Sequence, residues 1–203
     1  MRRGDHGTRA RDPGWRGILV EPLPHVFARL EANLGGRAGI VCENVAIADR
    51  DGTLPFFHAP DDGRLKFADL LGSLSRATLE AHAEHLEGEI AQTTVPTLTF
   101  DSLCARHAVD ALDLLVIDTE GHDWEILRTV DLPRYAPRLI VYEHFHLVPG
   151  DRAAARAHLE AHGYATLEEG LDTYALDTTI DDALTKRWRR LPRALRGMSR
   201  HDR

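Results

Sequence analysis

The stretch from Leu112 to Leu127, LDLLVIDTEGHDWEIL, limits the possible fold more than any other part of the chain. Leu114 to Ile117 is an apolar run bounded by turn-prone residues and too short for a helix, so it reads as a buried strand. Trp124, Ile126 and Leu127 open a helical pattern directly after it. A strand that feeds a helix within a few residues belongs in an α/β sheet, and ligands bind beyond the carboxyl ends of such strands. Asp118, Thr119, Glu120, Gly121, His122 and Asp123 fill that junction and crowd ionisable side chains into it.

The rest of the chain repeats this alternation. Ile18 to Val20 is a short strand ending at Glu21-Pro22, and Val26, Phe27, Leu30 and Leu34 then fall at helical spacing up to Gly35-Gly36. Ile40 to Ala48 reads as one strand, with a turn at Asp51-Gly52 into Leu54 to Phe57. Ala59 to Gly72 reads as a surface loop and Leu74 to Leu86 as a helix. Thr93 to Thr99 is a strand that Pro96 assigns to a sheet edge, and Asp101-Ser102 is expected to cap a short helix reaching His107. Arg138 to Glu143 is a second buried strand running into polar residues, Glu143, His144 and His146. A helix from Ala153 to His162 and a closing hairpin from Tyr164 to Leu176 follow. The expected architecture is α/β: a doubly wound, mainly parallel sheet with an antiparallel last strand. Residues 1–180 are expected to form this domain, and residues 181–203 a basic tail that reads as a solvated terminal helix.

A chain of 203 residues fits one domain with a substantial core. With 43% hydrophobic and 28% charged residues it has the composition of a soluble globular protein. No run approaches the roughly 20 apolar residues needed to span a bilayer. A net charge of -7 argues against nucleic acid as a partner, because phosphate binding needs a concentrated positive surface. Cys42 and Cys104 have no metal-ligand spacing, and Met1 to Trp15 is polar and basic with nothing like a secretion signal. Both observations point to the cytoplasm.

Glu21 stands where an acidic residue at a strand end can accept hydrogen bonds from a ribose diol. A nucleotide-binding sheet also needs a first strand and a glycine-rich turn, and ahead of Ile18 there are only Gly4, Asp5, His6 and Gly7 with no apolar strand before them. The blocks VEPLPHVFARLEANL, ENVAIADRDGTLPFF, VPTLTFDSLC, DLLVIDTEGHDWEIL and LIVYEHFHL, in that order, resemble the FkbM family of S-adenosylmethionine-dependent methyltransferases over roughly Trp15 to Leu176. The resemblance implies a Rossmann-like class I methyltransferase fold, with methyl transfer to a hydroxyl of a carbohydrate or small natural product. It also implies S-adenosylmethionine as cofactor, with Glu21 on its ribose, Asn44, Val45 and Ala46 near its adenine, and Gly4 and Gly7 as a shortened form of the glycine-rich turn. Asp118 and Glu120 would border the transferring methyl. The first strand is expected to be missing, and a second copy of the chain covering the exposed sheet edge, a homodimer, is the expected response.

Methyl transfer to oxygen is an in-line displacement that requires alignment of the acceptor and removal of its proton. The candidate acids and bases are Asp118, Glu120, His122, Glu143 and His144, with His146 beside them. The same carboxylates and histidines are compatible with a divalent ion such as Mg2+, but their spacing matches no closed motif, so no residue is assigned as a metal ligand. His82 and His85 read as an exposed pair on a charged helix. Cys104 with His107 lacks an oxyanion-hole turn, and Ser73 and Ser75 lack a nucleophile elbow. Two other readings stand beside the methyltransferase: a degenerate, non-catalytic domain of the same fold, and a metal-dependent hydrolase.

Overall fold

The structure, a computed structural model, describes residues 14–60, 71–81 and 90–191. Gly4, Gly7, His82, His85 and most of the expected loop after Ala59 therefore lie outside the described residues. The first unit pairs strand β1 (Gly17–Val20) in parallel with β2 (Ile40–Glu43), in register from Gly17↔Ile40 to Val20↔Glu43. They are connected by α1 (Pro24–Leu30) and a π-helical turn, Glu31–Gly35. Pro24 suits the first turn of α1, where a backbone N–H has no helical partner to lose. Gly39 lets the chain enter β2: it has φ +83°, and a Cβ there would lie 2.9 Å from the Trp15 carbonyl oxygen.

The second sheet is ordered β3-β6-β4-β5, from β3 (Ala46–Ile47), β4 (Gly52–His58), β5 (Gly72–Ser73) and β6 (Ala91–Leu98). The single strand expected from Ile40 to Ala48 is thus two, because the chain changes sheets at Asn44-Val45. The edge position expected from Pro96 is also corrected, since β6 lies inside the sheet. Proline is tolerated there because β3 pairs only with Thr97 and Leu98, so Pro96 faces a ladder on the β4 side alone. Helix α2 (Arg76–Ala81) follows β5.

Helix α3 (Phe100–Arg106) is capped by Thr99, whose Oγ1 accepts from Ser102 N at 3.0 Å, and not by Asp101-Ser102. The Asp101 carboxylate accepts instead from the Tyr135 hydroxyl at 2.9 Å. The third sheet has the order β7-β8-β10-β9, from β7 (Leu114–Ile117), β8 (Leu139–Glu143), β9 (Tyr164–Glu169) and β10 (Asp172–Asp177). β7 and β8 are parallel, and β10 runs antiparallel to both β8 and β9, so the closing hairpin supplies the expected antiparallel element. Helices α4 (Asp123–Leu127), α5 (Leu132–Tyr135) and α6 (Pro149–Ala161) join these strands.

The largest core cluster lies on this third sheet. Ile117, Ile140, Tyr142 and Ala175 pack against Ile126 and Leu127 of α4, Leu132 and Tyr135 of α5, and Ala155 and Leu159 of α6. Each large aliphatic side chain buried this way contributes roughly 1.5–3 kcal/mol. Val116 departs from the expectation of a strand buried on both faces: it is 60% exposed, and β7 pairs with β8 alone among the described residues. Helix α7 (Ala183–Trp188) is capped by Asp182 and buries Thr185 and Trp188, so this part of the basic segment is packed and not a solvated helix. The whole is a mixed α/β arrangement of three sheets, and no helix among the described residues is long and apolar enough to cross a membrane.

Candidate functional site

β7 and β8 lie side by side with Ile117 opposite Tyr142, so Asp118 and Glu143 stand at adjacent carboxyl ends. After Thr119 the backbone turns sharply through two left-handed residues, Glu120 at φ 51° and Gly121 at φ 87°. For a glutamate this conformation costs roughly 1–3 kcal/mol and persists only where surrounding contacts hold it. Gly121 is required on two grounds, its φ and its space: a Cβ would fall 2.7 Å from Thr78 Cγ2 and 3.3 Å from His146 Cβ. The turn brings Glu120 Oε2 to 3.0 Å from His146 Nε2, while Glu143 Oε1 lies 3.5 Å from the same nitrogen.

Asp123, the first residue of α4, is fully buried and connects the two strand ends. Its Oδ1 accepts from Glu143 N at 3.1 Å, and its Oδ2 accepts from Thr119 N at 3.3 Å and Thr119 Oγ1 at 2.8 Å. Burial raises the Asp123 pKa to about 6 against these hydrogen bonds. Glu143 is pushed up to about 8, first by burial and then by Glu120, Asp118 and Asp123, with His146 opposing. Asp118 is exposed just past the end of β7, and desolvation by the protein packed around its carboxyl, then Glu120 and Asp172, raise its pKa. Burial works against a charged His146, but its hydrogen bond to Glu120 and the field of Glu143 hold its pKa above the ordinary histidine value. Four carboxyl groups thus crowd around one imidazole.

Two predicted members lie elsewhere. His122 lines a cleft of ≈ 250 Å³ with Asp49, Phe57, Leu74 and Glu125, and burial lowers its pKa. His144 is buried with Nδ1 2.9 Å from Thr173 Oγ1; burial and then Arg152 lower its pKa. The structure therefore brings together Asp118, Glu120, Glu143 and His146 of the candidates, and adds the positioning carboxylate Asp123. The signal for His146 was its place three residues after Glu143, just past the end of a strand.

On the β1–β2 side, the Glu21 carboxylate accepts from Leu23 N at 2.8 Å through Oε1. Asn44 Nδ2 donates to the carbonyls of Glu21 at 2.7 Å and Pro22 at 3.0 Å, which fixes the loop after β1. Val45 packs with Leu98 and Leu103, and Ala46 with Leu23, Phe56 and Val95, so both side chains belong to the core. A carboxylate offers about four lone-pair sites, and Leu23 N occupies one of those on Glu21.

A family model described as the Methyltransferase FkbM domain matches residues 4–166. The chain belongs to the FkbM methyltransferase family. The matched span of this FkbM domain includes Glu21, the whole acidic cluster and His146. A curated relative, 2-O-methyltransferase NoeI of Sinorhizobium fredii (strain NBRC 101917 / NGR234), is 29% identical over 113 residues, covering 54% of this chain and 45% of the relative. The match thus spans less than half the length of that relative. No solved structure matches the chain.

Proposed function

We propose that this FkbM domain is an S-adenosylmethionine-dependent O-methyltransferase that acts on a hydroxyl of a carbohydrate or small natural product. The observation that carries the reading is the convergence of Asp118, Glu120, Glu143 and His146 beyond the carboxyl ends of two adjacent parallel strands, in a chain of a methyltransferase family. The name of the relative, a 2-O-methyltransferase, supports oxygen as the acceptor atom. We read β1–β2 and β7-β8-β10-β9 as two parts of one doubly wound sheet with a reversed strand, β10.

S-adenosylmethionine supplies a methyl group on a positively charged sulfur. The chain's own residues hold, orient and deprotonate. Glu21 is placed to accept hydrogen bonds from the ribose, and Asn44 keeps the Glu21 loop in position. The carboxylates of Asp118 and Glu120 favour a cationic donor nearby and disfavour a second anion. Asp118, exposed past the end of β7, meets the acceptor hydroxyl. Asp118 would take the hydroxyl proton as the methyl group that the cofactor supplies is transferred to the acceptor oxygen.

Calorimetric titration with S-adenosylmethionine, followed by transfer of labelled methyl to a panel of saccharides and hydroxylated natural products, tests this reading. One-to-one cofactor binding with label recovered on an acceptor oxygen is expected. Absence of both binding and transfer overturns it.

A further inference from the structure

We propose that Glu120, Glu143 and His146 form a binding site for one divalent cation. The donor geometry is the first ground. One ligand atom from each of the three residues lies within 4.8 Å of the other two. The separations from His146 Nε2, 3.0 Å to Glu120 Oε2 and 3.5 Å to Glu143 Oε1, match those between neighbouring ligands on one ion. Metal–ligand bonds of about 2.1 Å place such neighbours roughly 3.0 Å apart in octahedral and 3.4 Å apart in tetrahedral geometry.

The second ground is independent of that geometry. The Glu143 side chain is 9% exposed, and its Oε2 is shut off from solvent with no hydrogen-bond partner among the described residues. A buried carboxylate oxygen left without a donor carries a penalty of roughly 1–3 kcal/mol or more, which coordination to a cation removes. Glu120 and Glu143 both bring a carboxylate oxygen up to the His146 ring, at 3.0 and 3.5 Å, so that two like-charged groups repel there when both are ionised. A divalent ion relieves that repulsion at the point where the carboxylates meet.

The donor set states which ions fit. Two carboxylate oxygens and one imidazole nitrogen suit first-row ions such as Mn2+ better than Mg2+, which prefers oxygen alone. With three protein ligands, the remaining coordination positions are left to water or an acceptor hydroxyl. An acceptor oxygen bound there is oriented and more acidic, and gives its proton up more readily. Gly121 and Asp123 support the ligands, the first by admitting the turn that aims Glu120, the second by holding Glu143 N.

Only the role of the ion in the reaction rests on the methyl-transfer reading; the site itself does not. The test is Mn2+ titration of the full chain, followed by electron paramagnetic resonance, with neither cofactor nor acceptor present. One Mn2+ per chain is expected, with spin-echo modulation from one imidazole nitrogen. His146→Ala should abolish that modulation, and Glu120→Gln, at a partly exposed loop position, should weaken binding by at least about tenfold. A far-UV circular dichroism spectrum matching that of the unaltered chain confirms that each variant is folded. Failure to bind Mn2+, binding without nitrogen modulation, or binding unchanged in both variants overturns the proposal. A chain that binds Mn2+ in this way but transfers no methyl keeps the cation site and loses the methyl-transfer reading. One that transfers methyl in the presence of chelator and binds no Mn2+ does the reverse.

Discussion

The β7-β8-β10-β9 sheet and the β1–β2 pair both place a carboxylate at the end of a parallel strand, yet they hold it very differently. Glu143 leaves a strand whose Ile140 and Tyr142 are almost wholly buried, and its own N–H is held by the fully buried Asp123. Glu21 leaves a strand in which every residue is half-buried, paired on one side only among the described residues, and its carboxylate folds back onto Leu23 N. Four strands with packed helices lock a side chain by over-determining its surroundings; two strands leave it dependent on its own loop. The acidic cluster is therefore held from several sides by a buried core, whereas at the Glu21 end Asn44 and the Leu23 N–H bond hold the loop after a two-stranded pair.

The strongest test of this contrast is catalytic. Asp118→Asn should lower kcat by about 10²–10⁴, the usual contribution of a positioned base, while Glu21→Ala should mainly raise the KM for S-adenosylmethionine. Steady-state kinetics with both substrates varied would decide, and a larger kcat loss in the Glu21 variant would reverse the comparison. Next comes the support of the cluster. Asp123→Ala leaves the Glu143 N–H and the Thr119 donors unsatisfied and should destabilise the fold by about 2–4 kcal/mol in urea unfolding. Asn44→Ala, which releases the Glu21 loop, should cost about 1 kcal/mol. Equal losses would mean that the two regions are equally rigid.

A third measurement concerns acid. Glu168 is buried, which works against its charge, but ion pairs with Arg152 and Arg156 hold its pKa below the ordinary carboxylate range. Because the folded value is depressed, its stabilisation is complete above the unfolded pKa of about 4.3 and is lost as pH falls through the folded value. Glu168→Gln should cost about 2–3 kcal/mol at neutral pH, less than a fully buried pair because both arginines are partly solvated. The same variant should flatten the fall in stability at low pH; an unchanged slope would show that the pair contributes nothing to the third sheet. The smallest effect is expected at Val116→Thr, within about 0.5 kcal/mol because the side chain is exposed, against about 0.5–1.5 kcal/mol for Ile140→Val in the core. A large loss at Val116 would reveal that its face is covered in solution.

Most strands and helices around the site were legible because apolar period and length suffice to identify them. The short run at Leu114 to Ile117, the run ending at Glu143 and the closing hairpin all stand where the pattern puts them. Pro96 misled because proline excludes only the ladder bond it cannot make, and a short neighbouring strand removes that demand from one side. The cap falls on Thr99 because Thr99, Asp101 and Ser102, within four residues, all qualify locally, and the entry angle of the chain selects among them. His122 and His144 were grouped with the cluster because neighbouring residues in sequence were taken to share a site. Side chains alternate sides along a strand, and a turn through two left-handed residues redirects the chain, so adjacency in sequence did not carry over.

By itself, the sequence determined the class of fold and the family, since alternating strands and helices and the order of the sequence blocks are properties of the chain read in one dimension. It also determined that ionisable residues would gather after Ile117 and from Glu143 to His146. Only the tertiary structure decided which of them meet. Register between β7 and β8, the left-handed turn at Glu120-Gly121 and the depth of the core set the distances among Glu120, Glu143 and His146, and burial, which no local pattern encodes, made that cluster electrostatically distinct.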